Sequence, residues 1–172
     1  MNGFRRSGDD VVAKFGLEDA ELLATLARQV AVLIADRGEP GDDPVLDRLL
    51  PDAYRDSAED AAEFRRFTES ELGDQKVANA LAIAESLDTS PGSKNVTVRL
   101  DAGDAMSWLR ALTDIRLALG TRLGLTDEGV PDLGGGGSGG GSEHDADQSA
   151  LTYAIYSWLS AVQESLVHAV DR

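Results

Sequence analysis

A chain of 172 residues, 42% hydrophobic and 27% charged, can bury one core of its own, so a single domain is the simplest reading. It has no cysteine, which excludes disulfides, thiolate metal sites and thiol redox chemistry within this chain. A net charge of -15, from 31 acids against 16 bases, sets it against bare nucleic acid and anionic membrane.

The chain starts with a hairpin pattern. Gly3–Arg6 and Val11–Phe15 flank Ser7-Gly8-Asp9-Asp10, a turn composition in which Gly8 can take positive φ. Met1–Arg6 is not followed by an apolar h-region, so no secretory signal is read. No run approaches the ~18 apolar residues of a spanning helix, and the expected location is the cytoplasm. A helix is predicted from about Leu17 to Arg37, with Leu22, Leu23, Leu26, Val30, Leu33 and Ile34 as its apolar stripe. Glu18, Asp19 and Glu21 sit in its first turn, where the helix dipole favours acids, and Gly38 ends it. After the loop Glu39–Pro44, Val45–Leu50 forms a short helix stopped by Pro51.

Ser57 can cap the next helix, with Asp60 three residues on. That helix is predicted to reach Leu87 through Phe64, Phe67, Leu72, Val77, Leu81 and Ile83. Gly73 in its middle costs about 1 kcal/mol relative to Ala and marks a point for a kink or break. Asn95–Leu100 alternates, with Val96, Val98 and Leu100 on one side, and is expected to add a third strand to the hairpin. Ala105–Leu125 organises the rest: Trp108, Leu112, Ile115, Leu119 and Leu123 line one face, and Leu109, Leu117 and Leu125 widen it. Asp101 caps this helix, Asp104 holds the capping-box position and Gly124 follows its last turn. Gly134–Ser142 is a flexible Gly/Ser linker. Asp145 or Asp147 can cap a last helix with the stripe Tyr153, Ile155, Tyr156, Leu159, Val162, Leu166 and Val170.

The expected fold class is mainly α (α+β). Four to five helices pack around a central helix 102–124, with a small antiparallel sheet from the hairpin 3–15 and strand 95–100. One domain, 1–172, contains the linker 134–142 ahead of a C-terminal helix 147–171.

Catalytic patterns are weak. Gly134, Gly136 and Gly139 satisfy GxGxxG, and Gly136-Gly137-Ser138-Gly139-Gly140 satisfies GxSxG, but a Gly/Ser tract lacks the strand and helix that either motif needs. His144 stands among Glu143, Asp145 and Asp147 in an acidic stretch that fixes no metal geometry. His168 could serve a triad, yet nothing singles out a serine for it. No catalytic residue, metal ligand or cofactor is assigned. A helix-turn-helix drawn from Val45–Leu50 into Ser57–Phe67 would present acids to phosphate.

The arginines carry more. Arg65 and Arg66 lie between Phe64 and Phe67, and with Arg110 they are the candidate partner contacts. Arg116, beside the apolar stripe of the central helix, pairs with Asp114 as a candidate structural ion pair, with Asp101 as another neighbour. Arg116→Ala is therefore expected to destabilise the fold more than Arg65→Ala. Charge is uneven: Gly38–Asp74 holds twelve acids against four bases, and Gly124–Arg172 eight against one. This is first a solvated surface and second an acidic face for a basic partner.

Several blocks resemble a known family. They are Leu49–Arg55, Phe64–Glu69, Lys76–Ala80, Trp108–Leu123, Trp158-Leu159 and Gln163–Leu166, the central helix being the most specific. The resemblance is to an actinobacterial family of unknown function. Its genes tend to lie near the adaptor of the Clp protease, and its members are labelled oxidative-stress regulators of transcription. It implies a non-enzymatic, cytoplasmic regulatory module working through a protein partner, RNA polymerase or a sigma factor ahead of the Clp machinery. Without cysteine, Met1 and Met106 are the oxidisable side chains left for any protein-borne sensing. Two alternatives stand beside it: a direct DNA-binding regulator whose sheet gathers Arg5, Arg6, Arg99 and Arg110, and an enzyme of unknown type using His168.

Overall fold

The computed structural model describes residues 2–37, 42–50, 60–88, 93–124 and 143–171, with side chains described throughout except at 2, 60–70 and 143–146. Gly38, Pro51, Ser57, Leu125 and the Gly/Ser tract 134–142 lie outside the described residues, as do the side chains of Phe64, Arg65, Arg66 and Phe67.

The elements in order are β1 Asn2–Ser7, β2 Asp10–Gly16, α1 Leu17–Ala35, α2 Pro44–Leu49, α3 Asp60–Ser86, β3 Asn95–Leu100, α4 Ala102–Arg122 and α5 Glu143–Val170. The fold is α+β, as expected. β2 lies between β1 and β3, antiparallel to both. Gly8 makes the hairpin turn at φ 71, where a side chain would be strained.

Register sorts the sheet into two faces. Val11, Ala13 and Phe15 pair with Leu100, Val98 and Val96, and all six are buried beneath the helices. The opposite face carries the row Arg5–Val12–Arg99 together with Lys14 and Thr97. Val12 is itself buried, although its four neighbours on that face are exposed.

Asp101 alone joins β3 to α4, and its carboxylate accepts from the Asp104 backbone N–H at 2.9 Å, satisfying a donor of the first turn. Gly124, at φ 69, follows the last turn. Between these caps Trp108, Leu112 and Ile115 are fully buried. Phe4, Phe15 and Trp108 form an aromatic cluster with centroids 5.5 to 6.1 Å apart, clamping sheet to α4. The Trp108 indole donates to Ser86 Oγ at 3.1 Å, fixing the end of α3 as well.

The sequence stripes hold with three differences. α3 passes Gly73 without a break, because the glycine sits against α1: a Cβ there would lie 3.0 Å from the Arg37 guanidinium carbon. Leu72 and Leu81, expected in the core, turn outward, while Ala80, Ile83, Ala84 and Leu87 are buried. α5 begins at Glu143 instead of 147, so Asp145 and Asp147 lie inside its first turns, where the dipole accommodates acids as well as a cap would. Its stripe is buried at Leu159, Val162 and Leu166 and half-buried at Val170, whereas Tyr153 is exposed.

The last turns of α5 close on the first strand. The Phe4 N–H donates to Ser165 Oγ at 3.2 Å, and Arg6 Nη1 donates to the Val170 carbonyl at 3.3 Å. Gly3 keeps the approach tight, since a Cβ there would stand 3.1 Å from Ser165 Cβ.

Candidate functional site

Two polar clusters and one groove are the features that could do more than fill space. The first cluster joins α3 to α4. Lys76 Nζ donates to Asp114 Oδ1 at 2.6 Å, with both side chains largely buried. Burial pushes the Asp114 carboxyl above the usual carboxylate range, and the hydrogen bond and charge of Lys76 offset only part of that.

The second cluster joins α4 to α5. Arg116 Nη1 donates to Gln163 Oε1 at 2.7 Å and Nη2 to the Tyr156 hydroxyl at 3.2 Å, while Cζ lies 5.0 Å from the Tyr156 ring centroid. Gln163 Nε2 in turn donates to Thr113 Oγ1 at 2.8 Å. Arg116 Nε is buried with no hydrogen-bond partner. The expected Arg116–Asp114 ion pair is therefore corrected. Residues two apart on a helix point to different sides, so Asp114 meets α3 and Arg116 meets α5.

The other predicted site residues scatter. The side chains of Arg65 and Arg66 lie outside the described residues; Arg110 is exposed on α4. Of the four arginines expected to share a basic face, Arg5 and Arg99 do flank Val12, but Arg6 turns to the end of α5. Arg99 is also tied to Asp10 at 2.9 Å. His168 is exposed, with Nδ1 2.8 Å from the Glu164 carbonyl of its own helix. Among the described residues no three His, Asp or Glu side chains gather to hold a metal, and the side chains of Glu143, His144 and Asp145 lie outside them. Nor is any helix among the described residues long and apolar enough to cross a membrane.

The groove was not foreseen. It is an open depression of about 640 Å³ along the second half of α1 and the end of α4, bordered by Thr25, Arg28, Val32, Asp36 and Arg122. A smaller recess continues beneath it, lined by Leu26, Leu33, Ile115, Ala118 and Leu119. Val32 stands 64% exposed at the border. Arg28 and Arg122 make no hydrogen bond or ion pair among the described residues. The one usable signal in the sequence is an apolar Val32 one position off the α1 stripe; Arg122 and the recess residues Ile115, Ala118 and Leu119 come from a helix some ninety residues on.

Residues 1–170 match a family model described as a domain of unknown function, DUF2017. The chain is similar to the oxidative stress regulator AosR of Mycobacterium bovis, at 29% identity over 94% of this chain and 83% of that protein. The AosR of Mycobacterium tuberculosis gives the same figures. The putative oxidative stress regulator AosR of Mycobacterium leprae is 29% identical over 79% of this chain and 62% of its own length. No solved structure matches the chain.

Proposed function

Because the chain belongs to the DUF2017 family, we propose that it is a non-enzymatic regulatory module of the stress response that acts on transcription through a protein partner. RNA polymerase or a sigma factor is the partner class put first, with the Clp machinery behind it. The observation that carries this reading is that relatives similar along nearly the whole chain are named oxidative stress regulators. The open groove between α1 and α4 supports it, since an exposed valine beside guanidinium groups that pair with no acid among the described residues is the make-up of a protein-binding surface.

Stress sensing by this chain cannot use a thiol, as it has none. Met106, exposed on the first turns of α4, is the described side chain open to oxidation. Affinity capture from nuclease-treated lysate of an actinobacterial host tests the reading. Polymerase or sigma subunits should be recovered, and recovery should weaken as salt is raised, given the charge of -15. Clp components in their place would move the protein to proteolysis. Capture of none of these would defeat the reading.

Direct DNA binding is the second reading, favoured by the Arg5–Val12–Arg99 row with Lys14 on the open sheet face. Its test is a mobility shift of the gene's own promoter fragment at low salt, and no shift would end it.

A further inference from the structure

We propose that the α1/α4 groove docks a short amphipathic helix of a partner protein. Its aliphatic side chains would lie against Val32, Leu33 and Leu119, and its carboxylates would pair with Arg28 and Arg122. The proposal rests on the protein-partner reading and adds to it the place of contact and the chemistry of what binds there.

Three observations lead to this occupant. The first is shape: the border on α1 runs from Thr25 to Asp36, roughly 18 Å at 1.5 Å per residue, which matches about three turns of a second helix. The second is the apolar floor. Leu26, Leu33 and Leu119 are only partly covered by the core, and Val32 beside them is wholly outside it. A lone exposed valine is ordinary, but one bordering a leucine-lined recess extends an apolar track of the kind that receives residues at i, i+3/i+4 and i+7 of an amphipathic helix.

The third is charge. The chain is strongly acidic overall, yet this groove presents two guanidinium groups with no acid paired to them among the described residues. Arg28 and Arg122 come from different helices, so local helix pairing does not account for their meeting. A guanidinium at the edge of an apolar surface is suited to take a carboxylate in a two-bond fork. Asp36 stands at the α1 C-terminal end of the border. It repels an acid placed there, so it fixes which end of the bound helix carries the carboxylates.

The test uses the full chain and a displayed library of 14-residue helical peptides built from Leu, Ala, Asp, Glu, Lys and Arg. Selection against the parent should enrich peptides with leucines at i, i+3/i+4 spacing flanked by Asp or Glu. The best of them, made synthetically, should bind Val32→Glu about tenfold more weakly than the parent. Against Arg28→Glu/Arg122→Glu the preference should invert, so that the same peptide with Lys in place of its acids becomes the better ligand. All three positions are at the surface, and unchanged thermal midpoints would show that the variants fold.

Failure to enrich any peptide, enrichment without acids, or binding indifferent to these substitutions would overturn the proposal. So would a parent that sediments as a dimer and becomes a monomer on Val32→Glu, because the occupant would then be a second copy of this chain. If polymerase or sigma capture survives all three substitutions, the groove is wrong while the protein-partner reading stands. If capture never occurs from the parent, that reading fails whatever the peptides do.

Discussion

Truncating Arg116 removes two hydrogen bonds and an aromatic contact at once, and strands Gln163 and Tyr156 between α4 and α5. Arg116→Ala should therefore cost about 2 kcal/mol in urea unfolding. Arg110→Ala, on the exposed side of the same helix, should stay within about 0.5 kcal/mol. Equal midpoints for the two would mean the cluster holds nothing. Asp114 makes a pH-dependent counterpart. The folded protein holds its proton more tightly than the unfolded chain does, so stability contributed by this group falls as pH rises through and above the usual carboxylate range. Asp114→Asn removes that slope, and its amide oxygen can still accept from Lys76. The variant should gain on the parent as pH is raised from about 4 toward neutral; a difference flat with pH would contradict the buried carboxylate. A cation beside an apolar stripe needs a partner, and Arg116 meets two neutral ones on α5 in place of the expected Asp114. Those partners were not legible: Tyr156 and Gln163 for Arg116, and Lys76 for Asp114, lie thirty-eight or more positions away, and no local pattern announces a contact across helices.

At the scale of elements, Gly73 separates propensity from packing. In an isolated helix Gly→Ala would stabilise by about 1 kcal/mol. Here the added methyl meets Arg37, whose Nη1 donates to the Ile34 carbonyl at 2.9 Å and so finishes α1. Gly73→Ala should gain well under the full propensity term in the parent and recover it in an Arg37→Ala background. A double-mutant cycle measures the coupling, and strict additivity would show that the two helices do not share this contact. The strands were legible because alternation in Val96-Thr97-Val98-Arg99-Leu100 has one reading, and the α4 start because Asp101 offers a cap that nothing nearby rivals. The start of α5 was less so, since acids suit both a cap and the turns just inside it. The groove was hidden for a different reason. α1 carries most of its border while α4 adds Arg122 and half of the recess beneath, and neither contribution is unusual by itself.

For the whole molecule, the contact between β1 and the last turns of α5 ties together residues 161 and 164 positions apart. Gly3→Val should strain it, because the first added carbon already stands 3.1 Å from Ser165. Hydrogen exchange should quicken in both β1 and the stretch from Leu159 to Val170 while α1 is unaffected; faster exchange in the strand alone would show the two are not one unit. The class of fold followed from periodicity alone, but this closure did not, since serine, glycine and a backbone carbonyl carry no label for what they touch. It bears on how the protein is born. The hairpin is made before α5, and three short strands with one oily face are poorly stable without a lid. α5 supplies the part of that lid that closes on β1. Until that helix is made, the nascent chain must therefore keep Phe4 and Phe15 from wrong company, and the body can lock only once α5 has joined it.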